Sequence, residues 1–139
     1  MMAIVLLLGG TLTGCGTTIR SFQRGSAGET MILLREGLDI DLALREVIFV
    51  LTRHGFDPEL IQSEVGFVRT RWNYTWNDRG THIDTYRVRV ISSFNPTRTQ
   101  LVLNVEAEMR TGRQGNWVRG FDTRAVETLR NDLTMVVGN

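Results

Sequence analysis

Hydrophobic residues recur at helical spacing in two stretches of the chain. The apolar positions of the first stretch are Ile40, Leu44, Val47, Ile48 and Leu51. Those of the second stretch are Val126, Leu129, Leu133 and Val136. Each set forms one apolar stripe along a helix. Asp39 or Asp41 offers an N-cap to the first helix. Gly55 is a typical stop, so we expect this helix over about residues 41–54. Asp122 offers the N-cap of the second helix.

Between the two helices, three segments alternate between apolar and polar residues, as do strands with one packed and one solvated face. They run from Phe67 to Thr75, from His82 to Phe94 and from Gln100 to Arg110. Turn residues at 77–80 and 95–97 separate them. Apolar runs at 31–34 and 60–61 predict one or two short strands in addition.

The alternation assigns each side chain of these strands to a face. The packed face is predicted to carry Val68, Thr70, Trp72 and Tyr74, then Tyr86, Val88 and Val90, then Leu101, Leu103, Val105, Ala107 and Met109. The solvated face carries one pair of like charges per strand: Arg69 and Arg71, Arg87 and Arg89, and Glu106 and Glu108. Opposite charges across strands stabilise a sheet by about 0.2–1 kcal/mol per pair. We therefore expect a solvated ion-pair ladder; the alternative is a binding face for anionic lipid or a partner.

These elements predict an α+β domain over residues 30–139. Its antiparallel sheet has three long strands and one or two short ones, with two helices packed on one face. Composition agrees with one globular domain, since 42% of residues are hydrophobic and 22% are charged. The net charge of +1 gives no basic field for nucleic acid. All 16 basic residues are arginine, which we interpret as codon bias, with phosphate or carboxylate binding as the alternative.

The start of the chain carries a different pattern. Residues 3–8 form an apolar run that is too short to span a membrane, because a spanning helix needs about 20 residues. Leu12-Thr13-Gly14-Cys15 follows and resembles the lipobox of bacterial lipoproteins, in which a branched apolar residue and two small ones precede the acylated cysteine. The resemblance implies a signal peptide at 1–14, cleavage before Cys15 and a diacylglyceryl group on its thiol.

The signal pattern is incomplete, because only Met1 and Met2 precede the apolar run and the usual basic segment is missing. The alternative is that residues 3–8 form a buried strand and that Cys15 is a core thiol. Cys15 is the only cysteine, however, and its place directly after a short apolar segment favours lipid attachment. Gly16, where an aspartate would favour the inner membrane, is typical of an outer-membrane lipoprotein facing the periplasm.

The segment after the cysteine is rich in Gly, Ser and Thr and has no apolar period. We therefore expect residues 15–29 to be the lipidated cysteine and a flexible tether.

The domain itself also resembles a known family. Its first helix ends in His54-Gly55-Phe56, and the residues from Glu64 to Trp72 then lead through a glycine into a long strand. In this order of elements, residues 30–137 resemble the helix-grip domain of the lipoprotein C subunit of the outer-membrane β-barrel assembly machine. The resemblance implies a helix-grip-like β-α-β-β-β-α fold in an envelope lipoprotein, and it carries over no functional residue.

Residues that could carry catalysis are scattered. The histidines His54 and His82 are far apart, and His54 at a helix C-terminus is typical of a side chain matched to the helix dipole. Glu106 and Glu108 face arginines rather than a cleft. No phosphate loop, nucleophile elbow or zinc spacing occurs. We therefore expect no enzyme activity, no cofactor and no metal ion.

Two binding functions stay open. In the first, which we prefer, the domain docks a larger envelope complex through a glycine-rich loop at 111–121, because aromatic and arginine side chains dominate protein interfaces. The contact residues of this loop are expected to be Trp117, Val118, Arg119 and Phe121. In the second, a groove between sheet and helix binds a small-molecule ligand such as lipid or a cell-wall fragment. That groove is expected to be lined by Trp72, Tyr74 and Trp76.

The lipobox predicts the covalent state of the mature chain. Intact mass spectrometry of protein from its native membrane should show a chain that starts at Cys15 and carries added acyl mass. A Cys15→Ala variant should keep its signal peptide and gain no lipid. An unprocessed wild-type chain with Met1 and a free thiol would contradict the prediction.

Overall fold

The computed structural model describes residues 21–26, 28–78, 80 and 83–139. Within these residues, one antiparallel sheet of eight strands has two helices packed on one face, so the predicted α+β class is confirmed. The predicted signal peptide at 1–14, Cys15 and the tether up to residue 20 lie outside the described residues, as does His82. No helix in the described ranges is long and apolar enough to span a membrane.

The elements follow in the order strand, strand, helix, six strands, helix. The strands are β1 (Phe22–Arg24), β2 (Glu29–Leu33), β3 (Pro58–Gln62), β4 (Phe67–Thr70), β5 (Asn73–Asp78), β6 (Ile83–Phe94), β7 (Gln100–Thr111) and β8 (Val118–Asp122). The helices are α1 (Ile40–Arg53) and α2 (Thr123–Val137). Asp39 caps α1 by accepting the N–H of Leu42 at 2.9 Å, and Asp122 caps α2 by accepting the N–H of Ala125 at 3.0 Å.

The two longest strands, β6 and β7, form the centre of the sheet and pair along nearly their whole length. The outer side of β7 pairs with β2 in its first half and with β8 in its second half. The outer side of β6 pairs with β4 and β5. β1 extends the sheet beyond β8, and β3 extends it beyond β4. Each half of the sheet therefore ends in short edge strands.

The sheet has more strands than the sequence predicts, and two of them lie where we expected irregular chain. The segment expected to be a tether contains β1, and the expected loop at 111–121 contains most of β8. Both strands are short, and β1 is followed by Gly25 while β8 contains Gly120, so neither shows clear alternation. Phe22 of β1 packs edge-on against Tyr86 with ring centroids 6.1 Å apart. The folded domain thus begins before residue 30.

The predicted strand at 67–75 is divided in two, and its second half is turned over. β4 and β5 pair with β6 in registers that differ by one residue: Val68 lies opposite Ser92, and Asn73 lies opposite Val88. At the break, the Thr70 hydroxyl accepts the N–H of Val90 at 2.9 Å. One extra residue moves all following side chains to the other face. The prediction that Trp72 and Tyr74 share the packed face with Val68 is therefore wrong.

The apolar stripes of both helices and the packed face of the sheet form a single core. In β6 and β7 the predicted alternation is confirmed, since every second residue is buried, although Met109 is only half-buried. Fully buried core residues include Val47, Leu51, Val90, Leu101, Leu103, Leu129 and Leu133. Around these residues the sheet–helix interface is thus filled by side chains.

Two polar contacts fix the helices. Arg53 and His54 at the end of α1 contact Asp132 of α2 at 2.9 and 2.6 Å, and the His54 hydrogen bond lowers the pKa of Asp132. At the start of α2, buried Asp122 accepts a hydrogen bond from the Tyr86 hydroxyl. Burial and that hydrogen bond raise the pKa of Tyr86, so the hydroxyl stays protonated and donates. The second contact ties α2 to the centre of β6.

Substitutions at two glycines test how tightly the core packs against Gly66, the residue directly before β4. Gly66 and Gly37 both have positive φ, at 63° and 73°. A Cβ on Gly66 would lie 2.0 Å from the Phe94 ring, whereas a Cβ on Gly37 would meet nothing within 4 Å. We expect Gly66→Ala to lower the free energy of unfolding by about 1–3 kcal/mol more than Gly37→Ala, because only the first overpacks the core. Urea denaturation measures the difference, and equal losses would contradict it.

Candidate functional site

The face of the sheet that the helices leave uncovered, called here the open face, carries tryptophan side chains in addition to the charged residues that the alternation predicts. All three tryptophans of the chain lie on it. Trp72 lies in the break between β4 and β5, Trp76 lies in β5, and Trp117 directly precedes β8. The register shift at the break brings the first two to this side.

Arginine and tryptophan side chains alternate in a stack across the open face. The guanidinium of Arg87 lies between two indole rings, 4.5 Å from the centroid of Trp72 and 4.1 Å from that of Trp117. Arg89 also lies 4.5 Å from the centroid of Trp72, and Arg110 lies 4.7 Å from that of Trp117. We call the series Arg89–Trp72–Arg87–Trp117–Arg110 the arginine–tryptophan ladder.

Glutamates of β7 hold the ladder in place. Arg87 and Glu108 are opposite in register and form an ion pair, in which Nε at 2.7 Å and Nη2 both donate to the same oxygen, Oε2. Arg89 donates from Nε to Glu106 at 2.7 Å. The cross-strand pairing that the sequence predicts is therefore confirmed. Burial alone would lower the pKa of Arg87, but its hydrogen bonds to Tyr74 and Glu108 raise it, so the cation is fixed.

The predicted arginines of the first strand, Arg69 and Arg71, do not take part in this pairing. Arg69 faces Glu59 of β3 at 3.5 Å rather than the glutamates of β7, and Arg71 lies in the break and is exposed. The ladder is consequently limited to the half of the open face where β5, β6, β7 and β8 meet. A cation–π contact contributes about 0.5 kcal/mol when exposed and about 2 kcal/mol when desolvated, so several in series make this half rigid.

The four residues that the sequence predicts as a docking loop do not form one exposed surface. Trp117 is half-buried in the ladder. Val118 lies opposite Met109 and is half-buried, on the other face of β8 from Arg119. Arg119 is 88% exposed and 3.8 Å from Glu108. Phe121 is half-buried beside the glycines between β1 and β2.

Large exposed apolar side chains lie elsewhere on the open face. Met31 and Leu33 of β2 are each 61% exposed, whereas Ile32 and Leu34 between and after them are buried. Val102 of β7 lies opposite Met31 and is half-buried. We call Met31, Leu33 and Val102 the β2 patch. The sequence hides it because four successive apolar residues show no alternation.

A cleft lies on the other side of the sheet, between β5, β6 and the start of α2. It has a volume of about 350 Å³. Polar residues at its rim are Ser21, His54, Asn73, Thr75, Arg124 and Thr128. Its floor is formed by Phe56, Tyr86, Val88 and Leu129, which are all at least nine-tenths buried. Trp72, Tyr74 and Trp76, which we expected to line such a groove, point to the open face.

The described residues include no cluster of His, Cys, Asp or Glu that could hold a metal ion. The His54 side chain contacts Asp132 of α2 through its Nε2 atom. No protein-family model matches the chain, and no curated protein matches it closely enough to count as a relative. The site thus has to be interpreted from its own geometry.

Arg87 and Arg119 both approach Glu108, but only Arg87 belongs to the ladder. Replacing each of them tests whether the ladder stabilises the fold more than an ordinary surface ion pair does. Arg87→Gln removes two cation–π contacts and leaves Glu108, which is only 13% exposed, without the cation that donates two hydrogen bonds to it. We expect a loss of about 3 kcal/mol in the free energy of unfolding. Arg119→Gln should cost less than about 0.5 kcal/mol because Arg119 is exposed. Chemical denaturation measures both, and similar losses would contradict a structural role of the ladder.

Proposed function

We propose that the chain is a lipid-anchored envelope protein that docks a protein partner through the β2 patch. The observation that carries this proposal is the pair of exposed apolar residues, Met31 and Leu33, on an edge strand. Folded proteins usually protect such edges with charges, proline or a covering element, because an exposed apolar edge pairs with other chains. An apolar edge that is left uncovered is typical of an interaction site.

The partner's chemistry follows from the hydrogen bonding of β2. Leu34 donates its N–H to Thr99 at 2.9 Å, and Gly28 accepts from Val105, so the even-numbered residues bond toward β7. Glu29 and Met31 alternate with them and direct their backbone groups away from the sheet. In the described part of the chain, Asn139 donates to the Leu33 carbonyl and Arg35 donates to the Val137 carbonyl, so the open part of this edge runs from Glu29 to Met31. An extended apolar segment of a partner protein can therefore add to β2 as a further strand.

The anchor of the proposed function is Cys15, with the mature protein at the outer membrane and facing the periplasm. Gly16 and the lipobox support this location. Because β1 starts at Phe22, the tether is shorter than the sequence suggests. Only residues 16–20 separate Cys15 from Ser21, which corresponds to at most about 20 Å of extended chain. The domain would thus stay close to the membrane surface.

The alternative function, binding of lipid or cell-wall fragments, rests on the cleft beside Tyr86 and Asp122. Its volume and its polar rim are suited to a small ligand. The exposed apolar residues on the edge of β2 favour docking instead. We accordingly propose a binding role without catalysis, in which the partner is a protein.

Site-specific photo-crosslinking in cells tests the docking proposal. A photoreactive residue at Leu33 should capture one envelope protein, because the partner covers the β2 patch. The same residue at Met135 of α2 should capture none, although Met135 is 82% exposed. Adding Met31→Asp should abolish capture from Leu33, since a charge in the patch opposes burial. Equal capture from both positions, or none from Leu33, would contradict the proposal.

A further inference from the structure

Two arginines, Arg110 and Arg113, lie at one end of the open face. The other arginines of the ladder are held by Glu106 and Glu108. Arg110 stacks on Trp117, and neither Arg110 nor Arg113 forms an ion pair with an acidic residue whose side chain the structure describes. Unpaired guanidinium groups are the positions on this face where an anion can be bound without displacing a protein carboxylate.

Both arginines border a shallow depression of about 540 Å³. It is lined by Trp76, Ile83, Thr85, Arg110, Gly112 and Arg113, and we call it the Trp76 depression. None of these lining residues is acidic. At this end of the sheet, the N–H of Gly112, directly after β7, donates a 2.8 Å hydrogen bond to the carbonyl of Ile83, the first residue of β6. Trp76 projects from this end with 68% of its surface exposed.

We infer that the Trp76 depression contacts the anionic head groups of the membrane that anchors the chain. Guanidinium groups bind phosphate oxygens through paired N–H donors. An exposed indole beside them is suited to the boundary between head groups and acyl chains, where tryptophan is enriched in membrane proteins. Each arginine near an anionic surface strengthens binding by a factor of about five. The inference rests on the proposed membrane anchoring.

The short tether places this end of the sheet within reach of the membrane. Ser21 accepts the N–H of Thr123, directly after β8, and β8 leads back from there toward the Trp117 end. The length of β8 is about 15 Å at the rise of a strand. The chain between Cys15 and Ser21 can extend about 20 Å, so a lipid on Cys15 and the Trp76 depression can reach one membrane surface together.

The two surfaces of the open face then have separate tasks. The β2 patch pairs with the first half of β7, whereas Arg110 lies near the end of β7. The β2 patch is apolar and contains no charge, while the Trp76 depression combines an aromatic ring with two cations. Head-group contact at the second surface leaves the first, at the opposite end of β7, accessible to a protein.

Tryptophan quenching in nanodiscs tests this orientation. The full lipidated protein is reconstituted in phosphatidylcholine, with or without phosphatidylglycerol, and with brominated lipid as quencher. We expect quenching in the anionic discs that disappears in Trp76→Phe, which assigns it to Trp76. Arg113→Glu should lower the equilibrium constant for the docked orientation by a factor of about five or more, because it replaces attraction by repulsion. Arg45→Glu makes the same charge change at an exposed position of helix α1 and should leave this equilibrium constant unchanged.

Several outcomes would overturn the inference. They are the absence of Trp76-dependent quenching, equal quenching in the neutral discs, and equal effects of Arg113→Glu and Arg45→Glu. A Trp76 emission change with inorganic phosphate alone, without any response to anionic discs, would also overturn it and would assign the arginines to a soluble ligand. Intact mass shows separately whether Cys15 carries lipid, so failure of the anchor and failure of the head-group contact are distinguished.

Discussion

Stacking of guanidinium groups on indole rings holds together the face of the sheet that no helix covers. Trp72 lies in the break between β4 and β5, and Trp117 lies in the connection that leads to β8. Both rings close on Arg87, which Glu108 fixes from the neighbouring strand. Two irregular segments are thereby attached to the central strands. The largest aromatic side chains thus stabilise the molecule outside its hydrophobic core.

Local patterns in the sequence were sufficient to predict the core but not the arrangement of the open face. The stripes of α1 and α2, the caps at Asp39 and Asp122, and the opposition of Arg87 with Glu108 could all be predicted, because each depends on residues of one element or of adjacent strands. The extra residue near Trp72 could not be predicted, because the register shift depends on how β4 and β5 pair with β6. A single insertion moved the candidate binding residues to the other face.

The exposed sites were hidden for related reasons. The run from Met31 to Leu34 is apolar throughout, so only the pairing of β2 with β7 shows which side chains remain uncovered. The glycine-rich stretch before Asp122 suggested a free docking loop, but its second half pairs as β8 and its tryptophan is stacked. The docking surface that we propose therefore lies on a strand edge, and the rigid ladder supports the sheet beside it.

The central claim is that a partner covers the edge of β2 in the native envelope. Backbone hydrogen–deuterium exchange tests it most directly, with the protein in its native membrane compared with the purified protein. The account predicts slower exchange in the membrane for the amides of Glu29 and Met31, which point away from β7, and unchanged exchange at the exposed end of α2. Equal exchange of β2 in both states, or protection of α2 alone, would contradict it.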